Sequence, residues 1–144
     1  MSGTEQQALA DALDAEYAAV YAYGIVATHA GADRNRTVAQ YTAAHRARRD
    51  ATVDLLTDRQ GPVPSPEAAY TVPLAVSDPD TAAQLAIIVE TDTAVAWRAV
   101  VERAETDSTR RIAIEALTDS AGRRAVWQSI RGVSPATTAF PGRP

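Results

Sequence analysis

Four side chains in this sequence are of types that hold metals or move protons, and each lies mid-segment: Glu16, His45, Glu90 and Glu115. Carboxylate and imidazole groups are donors for iron or manganese. A carboxylate set among apolar residues needs a proton, a cation or several hydrogen-bond donors. Glu16 has such a setting. Leu9, Leu13, Glu16, Val20, Tyr23 and Ala27 recur at spacings of 4, 3, 4, 3 and 4, the inward stripe of a helix with a glutamate in its middle. A second stripe, Val38, Tyr41, His45, Arg48, Thr52 and Leu55 or Leu56, carries a histidine and an arginine where the pattern expects apolar residues.

Four helices must position these groups, over about residues 4–30, 34–59, 79–105 and 108–130. Thr4 reads as the first N-cap, with Gln7 completing a capping box. Gly31 closes that helix and Asp33 caps the next. Gly61-Pro62 stops the second helix, Asp78-Pro79 starts the third, and Gly132 ends the fourth. Residues 60–78 hold four prolines and no helical period. A helix of 26 residues is about 39 Å long, and a connection of 19 can span up to about 60 Å. The short, long and short links therefore predict an all-α bundle of two antiparallel hairpins joined by one long crossover, a ferritin-like arrangement in a single domain, 1–144. The tail, 131–144, is irregular, and Phe140 in it suggests a docked segment.

A weak internal repeat accompanies the paired hairpins. Glu16 is followed seven residues later by Tyr23, and Glu90 seven residues later by Trp97. Ferritin-like di-iron centres take one glutamate from each of two helices and a Glu-x-x-His pair from each of the others. Glu16 and Glu90 match the single glutamates. Thr42-Ala43-Ala44-His45 keeps the histidine but not the glutamate, and Glu115-Ala116-Leu117-Thr118 the glutamate but not the histidine. Iron or manganese on Glu16, His45, Glu90 and Glu115 is one expectation. The preferred one is an inward polar cluster of Glu16, His45, Arg48, Arg49, Glu90 and Asp119, without a cofactor, because an arginine on the same face repels a metal. In that cluster the glutamates pair with His45 and with Arg48, Arg49 or Arg123, and Glu16→Leu is tolerated or stabilising. On the fourth helix, Ile114, Leu117 and Ala121 read as the apolar stripe, with Glu115 to one side and Asp119 as an alternative inward group.

Other conspicuous residues point to structure. His29 is placed to meet the last carbonyls of the first helix. Tyr17, Tyr21 and Tyr23 suggest a helix–helix or subunit interface, and Trp97 and Trp127 core or interface anchors. A formal charge of −4 argues against a nucleic-acid partner. The absence of cysteine excludes disulfides and thiolate chemistry. All 14 basic residues are arginine. No run approaches the roughly 18–20 apolar residues of a membrane span, and MSGTEQQ lacks the character of a signal peptide, so the expected location is the cytoplasm.

Several segments together carry a resemblance: AEYAAVYAYG, AHRARRD, AYTVPLAVSDP, EALTDSAGRRAVW and the terminal AFPGRP. The chain resembles the ferritin-like domain family of uncharacterised, alanine-rich actinobacterial proteins, catalogued as a domain of unknown function. That resemblance implies a ferritin-like four-helix bundle, dimeric, with no established activity. The expected function is a metal-free dimeric binding or interaction module. The alternatives are a metal-binding protein of oxidase or oxygenase type, and a binder of a small anionic ligand through Arg48 and Arg49.

Overall fold

The computed structural model describes residues 2–144. Four long helices contain most of them: α1 (Gly3–His29), α2 (Asn35–Asp58), α3 (Pro79–Arg103) and α4 (Asp107–Ile130), with a short 3-10 turn at Ala32–Arg34. No strand occurs among the described residues.

The caps show why the helices start where they do. α1 is capped by Ser2, not Thr4; the Ser2 hydroxyl accepts from the Glu5 amide. The 3-10 turn lies between Gly31, at a φ of 91°, and α2. Asp78 and Thr81 form a reciprocal capping box with Pro79 in the first turn of α3, an arrangement worth about 1 kcal/mol. Thr106 caps α4 by accepting from the Thr109 amide.

α1 lies against α2 and α3, and α3 against α4. Side-chain contacts give the directions. Glu5 near the start of α1 meets Arg59 just beyond α2 and the Glu105 amide just beyond α3. Arg59 reaches Thr109 in the first turn of α4. Trp127 near the end of α4 bonds Tyr23 late in α1. So α1 and α4 run one way, and α2 and α3 the other. Residues 59–78 must therefore travel the length of the bundle, and two tyrosines expected at an interface hold them to α1. The Tyr17 hydroxyl donates to the Pro64 carbonyl at 3.0 Å, and the Tyr21 and Tyr70 rings lie 5.7 Å apart. Val72, Leu74 and Val76 then pack on the core.

The interior has three layers. An apolar layer near the α1 start contains Leu9, Leu13, Leu56, Trp97, Val100, Ala113 and Ala116. A second, near its end, contains Tyr23, Val26, Val38, Leu85, Ala86 and Trp127. Between them each helix contributes buried or half-buried polar groups: Glu16, His45, Glu90 with Thr93, and Ser120 with Arg123.

α4 faces inward with a different side from the expected one. Its buried residues are Thr109, Ala113, Ala116, Ser120 and Trp127; Ile114 is 47% exposed. Ile114 and Val126 lie outward, while Ala113, Ala116 and Ser120 form the inner face beside α3, with Trp127 buried near the end of the helix. Glu115 is consequently exposed.

Glu5 is fully buried and joins three helix ends through Arg59 and the Glu105 amide. Replacing Glu5 with alanine removes the carboxylate that Arg59 and the Glu105 amide share and loosens the α3–α4 link. The expected loss is about 2 kcal/mol in urea denaturation, with faster amide exchange at residues 104–109. Unchanged stability and exchange would show that the end is held without it.

Candidate functional site

The central layer is built around the His45 ring. Its Nδ1 lies 2.6 Å from Glu16 Oε2 and its Nε2 2.5 Å from Glu90 Oε1. Glu16 is 1% exposed, and His45 and Glu90 are 0% exposed. Each carboxylate has a further donor. Trp97 Nε1 donates to Glu16 Oε1 at 2.8 Å. Arg123 Nε donates to Glu90 at 2.9 and 3.0 Å, and its Nη2 to Ser120 Oγ at 3.3 Å. The Thr93 and Ser120 hydroxyls share a 2.9 Å hydrogen bond beside this group. Tyr23 and His45 lie ring to ring at 5.4 Å, and Arg123 stands 5.9 Å from the Tyr41 ring centroid.

Both ring nitrogens face carboxylates, so His45 donates twice as an imidazolium. Burial by itself acts to lower its pKa. The hydrogen bonds from Glu16 and Glu90, with their charges, override burial and raise it from 6.5 to about 9. Burial also acts to lower the Arg123 pKa, and Glu90 more than offsets it, so the guanidinium stays charged. Two carboxylates, one imidazolium and one guanidinium cancel. Burial first, and the Glu90 charge second, push the Tyr23 hydroxyl well above its usual pKa. It remains a neutral group that accepts from Trp127 Nε1 at 3.0 Å.

These donors do not fit a metal pair. The two carboxylates approach opposite edges of one imidazole ring instead of converging on a common point. A metal-bound histidine presents a lone pair, whereas His45 presents two N–H groups. Arg123 places a positive charge against Glu90 where a cation would bind. Thr42, in the place of a ligand glutamate, donates to the Val38 carbonyl at 2.7 Å. Among the described residues no three His, Asp or Glu side chains are grouped to hold a metal ion.

Of the residues singled out in the sequence, Glu16, His45 and Glu90 come together. Glu115 lies on the outer face of α4, away from them. Arg48 and Asp119 pair with each other at 3.1 Å on the rim, and Arg48 lies 6.0 Å from the Trp97 ring centroid. Arg49 binds its neighbour Asp50 at the surface and takes no part in the central layer. His29 Nδ1 lies 3.4 Å from the Ile25 carbonyl in the last turn of α1. Trp97 and Ser120 were not foreseen as members of the layer. Nor was the buried Glu5, although extending the α1 stripe one turn upstream from Leu9 reaches it.

A family model described as Domain of unknown function (DUF4439) matches residues 8–144. The chain belongs to this family. A crystal structure of a conserved hypothetical protein from Mycobacterium tuberculosis is similar to this DUF4439 chain, with a TM-score of 0.87 and 41% identity. The likeness covers 90% of this chain and 99% of that one. No curated protein matches the DUF4439 chain.

The raised His45 pKa sets a pH dependence. The folded state holds the proton more tightly than the unfolded chain does. The stabilisation is therefore complete below pH 6.5 and is lost as pH rises through about 9, a fall of about 3 kcal/mol. Denaturation series between those limits should show this loss in the native protein and not in His45→Gln; equal slopes would place the linkage elsewhere. Glu16→Leu, expected from sequence to be tolerated, instead strands the His45 and Trp97 donors and leaves the layer with a net positive charge. It should cost about 3–5 kcal/mol and lower the melting temperature by about 10 °C or more. An unchanged melting temperature would mean that the layer repacks freely.

Proposed function

We propose that this DUF4439 domain is a ferritin-like bundle without a complete di-metal centre, and that it acts as a dimeric binding or interaction module. The observation that carries the reading is the doubly donating His45 between Glu16 and Glu90, with Arg123 completing the neutral set. Both carboxylates and both imidazole nitrogens of that layer are engaged within the protein, which favours a structural centre over a reactive one. The ferritin-like assignment draws on the short links at the two ends of the helix pairs and on the crossover that runs along the bundle between α2 and α3.

The dimer draws on the outer side of α4. Ile114 and Val126 project there at 47% and 40% exposure. A second copy of this chain would cover such exposed apolar side chains.

Two measurements test the reading. Light scattering at tens of micromolar should give twice the 15.3 kDa chain mass; a monomer mass rejects the dimer. Elemental analysis of protein produced with added iron and manganese should find well under one metal ion per chain. Near-stoichiometric metal that disappears in Glu16→Ala would replace this reading with the metal-binding one.

A further inference from the structure

The C-terminal segment, residues 131–144, folds back over α3 and α4 and ends in a tight turn. The Arg143 amide donates to the Phe140 carbonyl at 3.3 Å, with Pro141 second and Gly142, at a φ of 79°, third, the pattern of a type II turn. Gly142 is pressed between the helices. A Cβ there would meet the Ala94 carbonyl oxygen at 2.6 Å, Arg98 Cβ at 2.8 Å and Leu117 Cδ1 at 2.9 Å, so no other residue fits. Phe140 stands at the rim, 69% exposed and at a φ of 56°, a left-handed conformation that is costly for a bulky residue.

The tail and the two helices enclose a cleft of about 440 Å³, within the range of small-molecule sites. Ala94, Ala121 and Ala125 give it a small, apolar floor. Its charged groups are Arg124 and Arg143, and no Asp or Glu lines it. Other arginines of the chain close on carboxylates, as Arg48 does on Asp119 and Arg131 on Asp80. Neither cleft arginine has an ion pair among the described residues. Arg124 is oriented all the same, because its Nε donates to Thr91 Oγ1 at 2.9 Å and Thr91 is itself tied to the Ile87 carbonyl at 2.7 Å. The terminal nitrogens of Arg124 are left to bind something else.

The geometry points to a binding site for a small organic carboxylate with an apolar body, seated beneath the C-terminal tail with its carboxylate on Arg124. A planar guanidinium held by Nε presents its remaining donors as a fork that matches two carboxylate oxygens. The alanine floor and the Phe140 ring take the apolar body. The site lies outside the His45 layer. It deepens the binding-module reading and rests on it, whereas the dimer and the metal-free centre are decided by mass and metal content; a cleft that takes no anion leaves those two results standing.

The test is a titration of the ¹⁵N-labelled full chain with naphthoate, its neutral isostere naphthamide, and inorganic phosphate. Naphthoate should give saturable amide shifts at residues 137–143, with naphthamide about tenfold weaker or more and phosphate weaker still. Arg124→Gln should weaken naphthoate about tenfold while melting near the native temperature, since it gives up one hydroxyl contact and no ion pair. Gly142→Ala should displace the tail and abolish the shifts at 137–143. Equal binding of acid and amide, undiminished binding in Arg124→Gln or Gly142→Ala, or no saturation up to millimolar naphthoate would each overturn the proposal. Phosphate binding as tightly as naphthoate would also overturn it, by showing that the apolar body plays no part.

Discussion

An imidazolium held between two buried carboxylates constrains the rest of this bundle. Neither Glu16 nor Glu90 has access to water, so each needs a cation or donors at hydrogen-bond distance. His45 supplies one N–H to each, Trp97 completes Glu16, and Arg123 completes Glu90. The groups come from all four helices. Rotating any helix by one residue would bury an unpaired charge or donor, which costs more than a misplaced apolar side chain. A buried ion network adds little net stability over apolar packing of the same shape. Its effect here is to select one rotation for each helix, and the apolar layers above and below follow.

The same logic recurs at one end of the bundle on a smaller scale. Glu5 gathers the start of α1, Arg59 beyond α2 and the α3–α4 link, so two helix connections close on one carboxylate. Away from these polar points the helices meet through small side chains. Ala8, Ala12, Ala19 and Ala22 of α1 and Ala82, Ala83, Ala86 and Ala94 of α3 are buried, which lets the backbones approach. The surface of this DUF4439 domain keeps apolar material on α4 and along the tail. Binding chemistry has room there, while the interior is fully committed to holding itself together.

The α1 and α2 stripes were legible because their large residues point inward. Leu9, Leu13, Tyr23, Val38 and Leu56 are buried, and the polar exceptions Glu16 and His45 stand among them at helical spacing. The α3 start was legible in Asp78-Pro79, where local capping chemistry acts regardless of tertiary contacts. α4 misled for the opposite reason. Two of its branched apolar side chains, Ile114 and Val126, face out, and apart from Thr109 and Trp127 its buried face is alanine and serine, which hydropathy does not distinguish from surface. The expected ligand Glu115 fell with that rotation, and Arg123 took the inward place. The tail's anchor proved to be Gly142 and not Phe140, because the gap between α3 and α4 admits no side chain.

By itself the sequence determined the helices, their approximate ends, the need for a long crossover and the presence of an uncompensated carboxylate, Glu16, on an apolar stripe, with Glu90 as its counterpart in the internal repeat. These are local properties, set by periodicity, caps and chain length. Only the tertiary structure decided which cations answer those carboxylates. Arg48, Arg49 and Arg123 look equivalent along the chain, yet Arg48 closes on Asp119 at the rim, Arg49 on its neighbour, and Arg123 alone of the three on Glu90. Distance in space makes that choice. A buried charge is satisfied within about 3 Å or not at all, and the helix rotations that bring one guanidinium within that reach arise from packing across the whole bundle.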